Sequence, residues 1–512
     1  MLEFTKKHQI LALLFCFASV ELFSFFGFLY PQAGTILFFL IVFATLVASF
    51  WRLEYGLLII LAELFIGSKG YLFSLDIDGS VVSIRIALFL IIMAVWLARK
   101  IFSKSKVSSF KFQVSSFLGW YLFLFAAFGI GIIQALVLRN DYSNIFFDFN
   151  AFLFFAYIFP LADVFREKAA WERMGKVAIA AVSWVTIKTF IVFYVFAHGM
   201  WPYTPMVYKW IRDTGVGEIV KVDQGFFRVF FQGHIYELLA LIVLLGIIGY
   251  RCSVKYQVLS INNYLSLVKS HWLLGVGLAS VVILSFSRSF WVGGAASLIV
   301  LFLLIIFILK AKWRAIGSFL FYIISIFTIS FILIFALMNI PPRKGKLISL
   351  SGLVSERATV QEAAGQSRME LLKPLWTGIL KHPIIGSGFG AIITYHSKDP
   401  RILQNNPTGE YTTFAFEWGY LDLWYKMGIL GPLAYLGLIG SILLTLWRAI
   451  KNQSEIILSG INVQAISLGV FPALIALAVV HFFTPYLNHP LGIGFIILAS
   501  LFTAFVRNRD GN

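Results

Sequence analysis

Apolar residues fall in long blocks, each close to the roughly 20 residues that carry an α-helix across a hydrocarbon core. Fourteen such blocks can be read: 10–30, 34–50, 54–67, 81–97, 116–138, 145–163, 176–198, 229–249, 272–286, 289–309, 315–338, 419–447, 463–484 and 488–506. The third and ninth are short. The pattern predicts an all-α, polytopic transmembrane bundle of about fourteen helices, with one large, partly helical external loop. It divides the chain into 1–198 (seven helices), 199–338 (four helices after a first external loop), 339–418 (the large loop) and 419–512 (the last three helices).

The gaps between blocks differ in charge. Lys and Arg collect in alternate gaps: Lys6 and Lys7, Arg52, Arg99 and Lys100, Arg166 to Lys176, Arg251 to Lys269, Lys310 to Arg314, Arg448 and Lys451, and Arg507 with Arg509. The short gaps in between hold only Lys69 and Arg139. Cytoplasmic loops carry the basic excess, so both termini are expected to be cytoplasmic. The two long outer loops, 199–228 and 339–418, are also basic, and long translocated loops are largely exempt from that rule.

Composition agrees with the pattern. Hydrophobic residues make up 60% and charged residues 13%, against about 25% charged in soluble proteins. The net charge of +17 reads as membrane orientation, and nucleic acid is not an expected partner. The basic start resembles a signal peptide, but Glu21 interrupts the apolar run and no small-residue cleavage site follows, so a retained first helix is expected. Cys16 lies in a span and Cys252 in a basic loop, a distribution that suggests neither a disulfide nor a metal site.

Candidate chemistry concentrates on the outer side. "SFSRSFWVGG" puts Arg288 at the head of a very apolar helix. A guanidinium at the bilayer centre costs on the order of 3 kcal/mol, so Arg288 belongs at the outer surface or in a polar cavity. Arg228 stands in "GFFRVFFQGHIY" at the expected entry to the eighth helix, and Arg357 and Arg368 stand in the second long loop. Arginine keeps its charge and presents a planar fork of donors suited to phosphate oxygens. Several converging on one cavity suit a pyrophosphate; singly, each is more simply a snorkelling or salt-bridged side chain.

Residues 368–381 show apolar positions at helical spacing, predicting an amphipathic helix at the outer interface that Pro374 kinks or segments. "HPIIGSGFGA" follows, and its glycines at 386, 388 and 390 permit either close backbone approach to a ligand or a simple chain reversal. Glu417 and Asp422 stand where the loop re-enters the membrane. Glu417 is a candidate general base, and Asp422 has a salt-bridge partner available four residues on, in Lys426. The histidines at 198, 234, 382, 396, 481 and 489 are scattered without metal-ligand spacing, and no phosphate-binding loop or Ser-His-Asp order is readable. Metals and cofactors are therefore not expected, and ATP-driven transport and hydrolase chemistry are unsupported.

Three of these motifs, in order across residues 270–450, resemble the bacterial O-antigen ligase/polymerase superfamily, the Wzy and WaaL type of integral-membrane glycan transferases. "SFSRSFWVGG" is similar to its Ser-x-Ser-Arg helix start, and "HPIIGSGFGA" to its glycine-rich turn after an external amphipathic helix. "EWGYLDLWYKMGILGPLAYL" is similar to its His-Asn-x-x-Leu segment, with Glu417 where ligases carry histidine. The resemblance implies a metal-independent glycosyltransferase acting on the outer face of the bacterial inner membrane. Its donor would be an undecaprenyl-pyrophosphate-linked glycan, and flippase and chain-length-regulator proteins would be potential partners. Arg228, Arg288 and Arg368 would hold the pyrophosphate, and Glu417 with Arg288 would serve catalysis. Asp422, His382 and Gly388 would be glycan contacts. The histidine-to-glutamate departure favours polymerisation of O-antigen or exopolysaccharide repeat units over ligation to a lipid or other acceptor. From a different class, the alternative is a flippase for the same lipid-linked glycans, which would place ionisable groups along a membrane path. Glu21, Glu63, Asp148 and Lys188 are the intramembrane candidates for such a path.

Overall fold

The computed structural model describes residues 2–77, 80–102, 115–200, 203–223, 226–255, 261–340, 363–398, 400–452 and 456–510. The first quarter of the chain forms α1 (Leu2–Leu29), α2 (Pro31–Trp51), α3 (Leu53–Ile66), the hairpin β1 (Ser74–Ile77) with β2 (Ser80–Ser83), and α4 (Ile84–Phe102). Next come α5 (Ser115–Val137), α6 (Tyr142–Phe149), a 3-10 stretch at Asn150–Tyr157, α7 (Ile158–Val164) and α8 (Lys168–Ala197). The middle holds α9 (Tyr203–Asp213), β3 (Gly217–Asp223), β4 (Phe226–Phe231), α10 (His234–Lys255), α11 (Ile261–Leu284), α12 (Arg288–Leu303) and α13 (Trp313–Asn339). The large loop supplies α14 (Ala363–Lys381), β5 (Ile393–His396), α15 (Pro400–Asn405) and β6 (Glu410–Thr413). The chain closes with α16 (Gly419–Met427), α17 (Leu430–Lys451), β7 (Ile457–Leu458), β8 (Ile461–Asn462), α18 (Val463–Phe483) and α19 (Pro490–Asp510).

The protein is thus all-α and polytopic, the strands among its described residues confined to two-stranded antiparallel pairs. Among the described residues, eleven helical stretches are long and apolar enough to cross a membrane. The other three predicted spans exist as helices of a different kind. α3 has only 14 residues, α4 carries Arg85, Arg99 and Lys100, and α11 offers a shorter apolar stretch, His271–Leu284.

Centre and periphery are well separated. α10, α18 and α19 are mostly buried, whereas α1 and α2 present most of their apolar surface outward, as lipid-facing helices do. Close helix approach at the centre depends on small residues. A Cβ on Gly246 of α10 would lie 2.3 Å from the Cα of Gly469 on α18, and one on Gly293 of α12 would lie 2.9 Å from the Ala476 carbonyl oxygen, also on α18. α18 is therefore a central post with α10 and α12 packed hard against it.

Two expectations are corrected here. The block 419–447 is not one helix: α16 and α17 are separated at Gly428, whose φ is +63°. A Cβ there would lie 1.9 Å from the Ile384 carbonyl oxygen, and Ile429 N–H donates to the Pro383 carbonyl (2.9 Å). The glycine-rich turn occupies the break. The second concerns Pro374, which neither ends nor splits α14. The buried face Leu371, Leu375 and Ile379 continues past it, packed on Ile393, Tyr395, Phe416 and Tyr425 in a small separate core. That apolar support outweighs the one helical hydrogen bond a proline removes.

The loops gather at two ends. At one end Arg173 pairs with Glu54, Lys100 with Asp163 (2.9 Å), and Lys176 donates to Gln9 (2.7 Å). Arg99 caps the end of α2 through the Ser49 and Phe50 carbonyls. At the other end lie the β3–β4 hairpin, the Ser285–Arg288 turn and the α14–β6 loop.

Candidate functional site

Arg228 sits on a strand, not at a helix entry. "FFRVFF" is rich in β-forming aromatics, and β4 pairs antiparallel with β3, Arg228 opposite Val220; α10 begins only at His234. From β4 the Arg228 Nε donates to the Ser285 carbonyl oxygen at 2.9 Å, and its guanidinium lies over the Phe230 ring, 4.8 Å from the centroid. Glu218 approaches to 4.0 Å but is itself largely exposed. Burial pulls the Arg228 pKa below the ordinary arginine range, opposed by Glu218 and Tyr486; an arginine so placed still keeps its proton.

Ser285 closes α11, and the next residue, Phe286, has φ +48°. A bulky residue in the left-handed region costs about 1–3 kcal/mol. Its ring is held against Phe226 of β4 (5.3 Å) and Trp291 of α12 (5.3 Å), which fixes the turn. The turn exposes the Ser285 carbonyl to Arg228 and starts α12 at Arg288, which is exposed. Ser287 stands at the N-cap without capping; its hydroxyl meets the Ser289 hydroxyl at 3.0 Å. The first amides of α12 and its positive dipole end thus share a location with an exposed arginine, an arrangement suited to an anion.

The end of α18 joins this turn to the large loop. Thr484 donates to the Ser289 hydroxyl (3.2 Å), and the Tyr486 hydroxyl donates to the Gln232 carbonyl just after β4 (3.2 Å). On its other side, the Trp418 ring packs on Phe482 (5.7 Å) and Phe483 (6.5 Å), while Tyr420 donates to the Ala478 carbonyl (3.0 Å). Glu417 precedes Trp418 and pairs with Arg368 of α14; the Trp418 indole N–H donates to the Arg368 carbonyl at 2.9 Å. The two side chains of that pair are about half exposed. Arg228, Arg288, Arg368 and Glu417 therefore border one post, the last turn of α18. Arg357 lies outside the described residues.

Three other expected contacts lie elsewhere. Asp422 is buried, 2.7 Å from Lys426, and accepts from Asn488. Lys426 also pairs with Asp148, whose other oxygen accepts the Gly390 N–H at 2.8 Å. Burial pushes the Asp422 carboxyl up to about 7 despite the pull of Lys426. Gly388 (φ +79°) is buried against the α5 backbone, where a Cβ would meet Ala135 N at 2.4 Å, so its close approach is to the protein's own chain. His382 is half-buried at the far end of α14. The intramembrane candidates all have fixed partners: Glu21 with Lys188 (2.6 Å), Glu63 with Arg85 (2.8 Å), and Asp148 with Lys426.

Sequence reasoning missed Thr484 and Trp418 as organisers of the site; it did pair Lys426 with Asp422, and the structure forms that pair. The hairpin did leave a signal, since the β-forming runs "EIVKVD" and "FFRVFF" are separated by only two residues, Gln-Gly.

Residues 273–436, roughly a third of the chain, match the family model described as O-antigen ligase. The match takes in the Ser-x-Ser-Arg turn, the glycine-rich turn and Glu417, and bears out the resemblance to the O-antigen ligase/polymerase superfamily. It supports glycan transfer of that general type by an integral membrane protein. No curated protein and no solved structure matches the chain.

Proposed function

We propose that this protein polymerises oligosaccharide repeat units carried on undecaprenyl pyrophosphate, at the outer face of the bacterial inner membrane. The observation that carries the reading is that three arginines, a helix N-terminus without a side-chain cap and one half-exposed carboxylate border the end of α18. Arg228 and Arg288 bind the pyrophosphate with the first amides of α12. The exposed pair Arg368–Glu417 contributes little to stability, as surface pairs do, so an arriving phosphate can take over Arg368. Glu417 is then released beside the reacting sugar. The acceptor hydroxyl oxygen bonds to the anomeric carbon, the bond from that carbon to the pyrophosphate oxygen breaks, and the pyrophosphate leaves with the electron pair. The hydroxyl proton passes to Glu417. The chemistry needs positive charge where the leaving group develops its own negative charge, and the arginines supply it.

Sidedness is supported by the gathering of the basic short loops at the opposite end of the bundle, with both termini cytoplasmic in this reading. Transport of the same glycans has less support, because Glu21, Glu63 and Asp148, three of the ionisable groups that would mark such a path, are held in ion pairs. Deleting the gene and sizing the surface glycan tests the assignment. Single repeat units left on the acceptor mean polymerase; full-length polymer left on its lipid carrier means ligase.

A further inference from the structure

We propose that a second cleft, between the α5–α6 corner and the C-terminal half of α14, binds the phosphate headgroup of a membrane lipid. The cleft has a volume of about 630 Å³, and its polar lining includes Lys373, Lys381, His382 and Asn140, with the hydroxyls of Thr377, Ser387, Thr394 and Tyr425. No carboxylate lines it. Lys373, Thr377 and Lys381 recur every four residues, so the two lysines stand on one face of α14, with the Thr377 hydroxyl between them donating to the Lys373 carbonyl at 3.0 Å. Among the described residues, neither lysine has an ion-pair partner.

The opposite wall is pre-built. The Asn140 amide donates to the Ser387 and Phe389 carbonyls at 3.0 and 2.9 Å, clamping the corner to the glycine-rich turn. Between the lining residues Leu138 and Asn140 stands exposed Arg139, with φ +56°. It is one of only two basic residues in the short outer gaps.

Its position argues for a lipid. The apolar span of α5 ends at Val137, so the cleft opens at the membrane boundary. Leu136, Val137, Leu380, Ile384 and Ile392 are exposed around it, a surface for acyl or isoprenoid chains. Lysines close to a membrane surface attract anionic headgroups whichever leaflet supplies them, by the same charge attraction that acts at the cytoplasmic face. The nearest lining residue on α14, Lys373, is five residues from Arg368, roughly 8 Å at the helical rise, and neither Arg368 nor Glu417 lines the cleft.

Native mass spectrometry of the purified full-length protein tests this, with phosphatidylglycerol, polyprenyl phosphate, phosphatidylcholine and inorganic phosphate offered separately. One of the two anionic lipids should be retained about tenfold over phosphatidylcholine, and which one identifies the natural source. Lys373→Gln and Lys381→Gln should each lower that retention about fivefold. If a variant fails to fold, the wild-type preference among the four probes still decides. Equal retention of phosphatidylcholine, binding of inorganic phosphate alone, or undiminished retention by a stable double variant would overturn the proposal.

Discussion

The Arg228 guanidinium reaches from its strand to the Ser285 carbonyl oxygen, 2.9 Å away. Ser285 stands three residues before Arg288. A cation is thereby fixed beside the turn from which a helix N-terminus and a second cation project. The contact occupies Nε and leaves the terminal nitrogens of Arg228 for a ligand; of those, Nη1 is no closer than 4.0 Å to Glu218.

Alanine at Arg228 or Arg288 should lower transfer roughly 10- to 150-fold, the equivalent of one charge-assisted phosphate contact, about 1.5–3 kcal/mol. Arg288→Lys keeps the charge but not the fork and should also be impaired. Polymer levels at matched protein abundance provide the measurement. Wild-type levels in the double alanine variant would remove both residues from the mechanism.

Glu417→Gln should reduce turnover by about 10²–10⁴-fold, the usual worth of general-base assistance, with melting temperature unchanged. Arg368→Ala should weaken donor binding and leave stability nearly unaltered, because the pair is exposed. A Glu417→Gln protein that loses stability in step with activity would instead make the carboxylate a loop anchor.

The buried triad Asp148–Lys426–Asp422 gives a pH dependence whose sign is fixed. Burial raises the folded-state Asp422 pKa to about 7, well above the ordinary carboxylate range. Its contribution to stability is complete below the unfolded value and is lost as pH rises through 7. Asp422→Asn should flatten the melting temperature between pH 5 and 8, in a buffer-matched thermal scan. Lys426→Met leaves two buried carboxylates and should cost about 3–5 kcal/mol.

Most of the bundle can be read from apolar period and basic loops alone, because each span carries its own signal within a local window. The break at Gly428 cannot. "YKMGILGPLAYL" is apolar enough to continue the helix, and only the Pro383–Ile385 turn, distant in sequence, makes a glycine necessary there. Arg288 and Glu417 were legible as polar groups at membrane edges. The pairing of Lys426 with Asp148 spans 278 residues and has no local trace. Asp422 looked available for a ligand for the same reason, since its burial depends on Asn488 and Lys426 together.

Gly428→Ala tests that break directly. Its backbone conformation strains any Cβ, and the Ile384 carbonyl occupies the space. Strain and overpacking together should cost about 3 kcal/mol or more, read as a lowered melting temperature. An unaffected Gly428→Ala protein would contradict the broken helix.

The central claim is transfer of a lipid-linked glycan at the outer arginine turn, and reconstitution tests it most directly. Purified protein in liposomes is supplied with an undecaprenyl-pyrophosphate-linked repeat unit, without metal or nucleotide, and the products are sized by gel and mass. The account predicts a ladder of longer lipid-linked glycans with release of undecaprenyl pyrophosphate, and its collapse in Arg288→Ala. Absence of any elongated or transferred glycan with wild-type protein, or an undiminished ladder with Arg288→Ala, would contradict it.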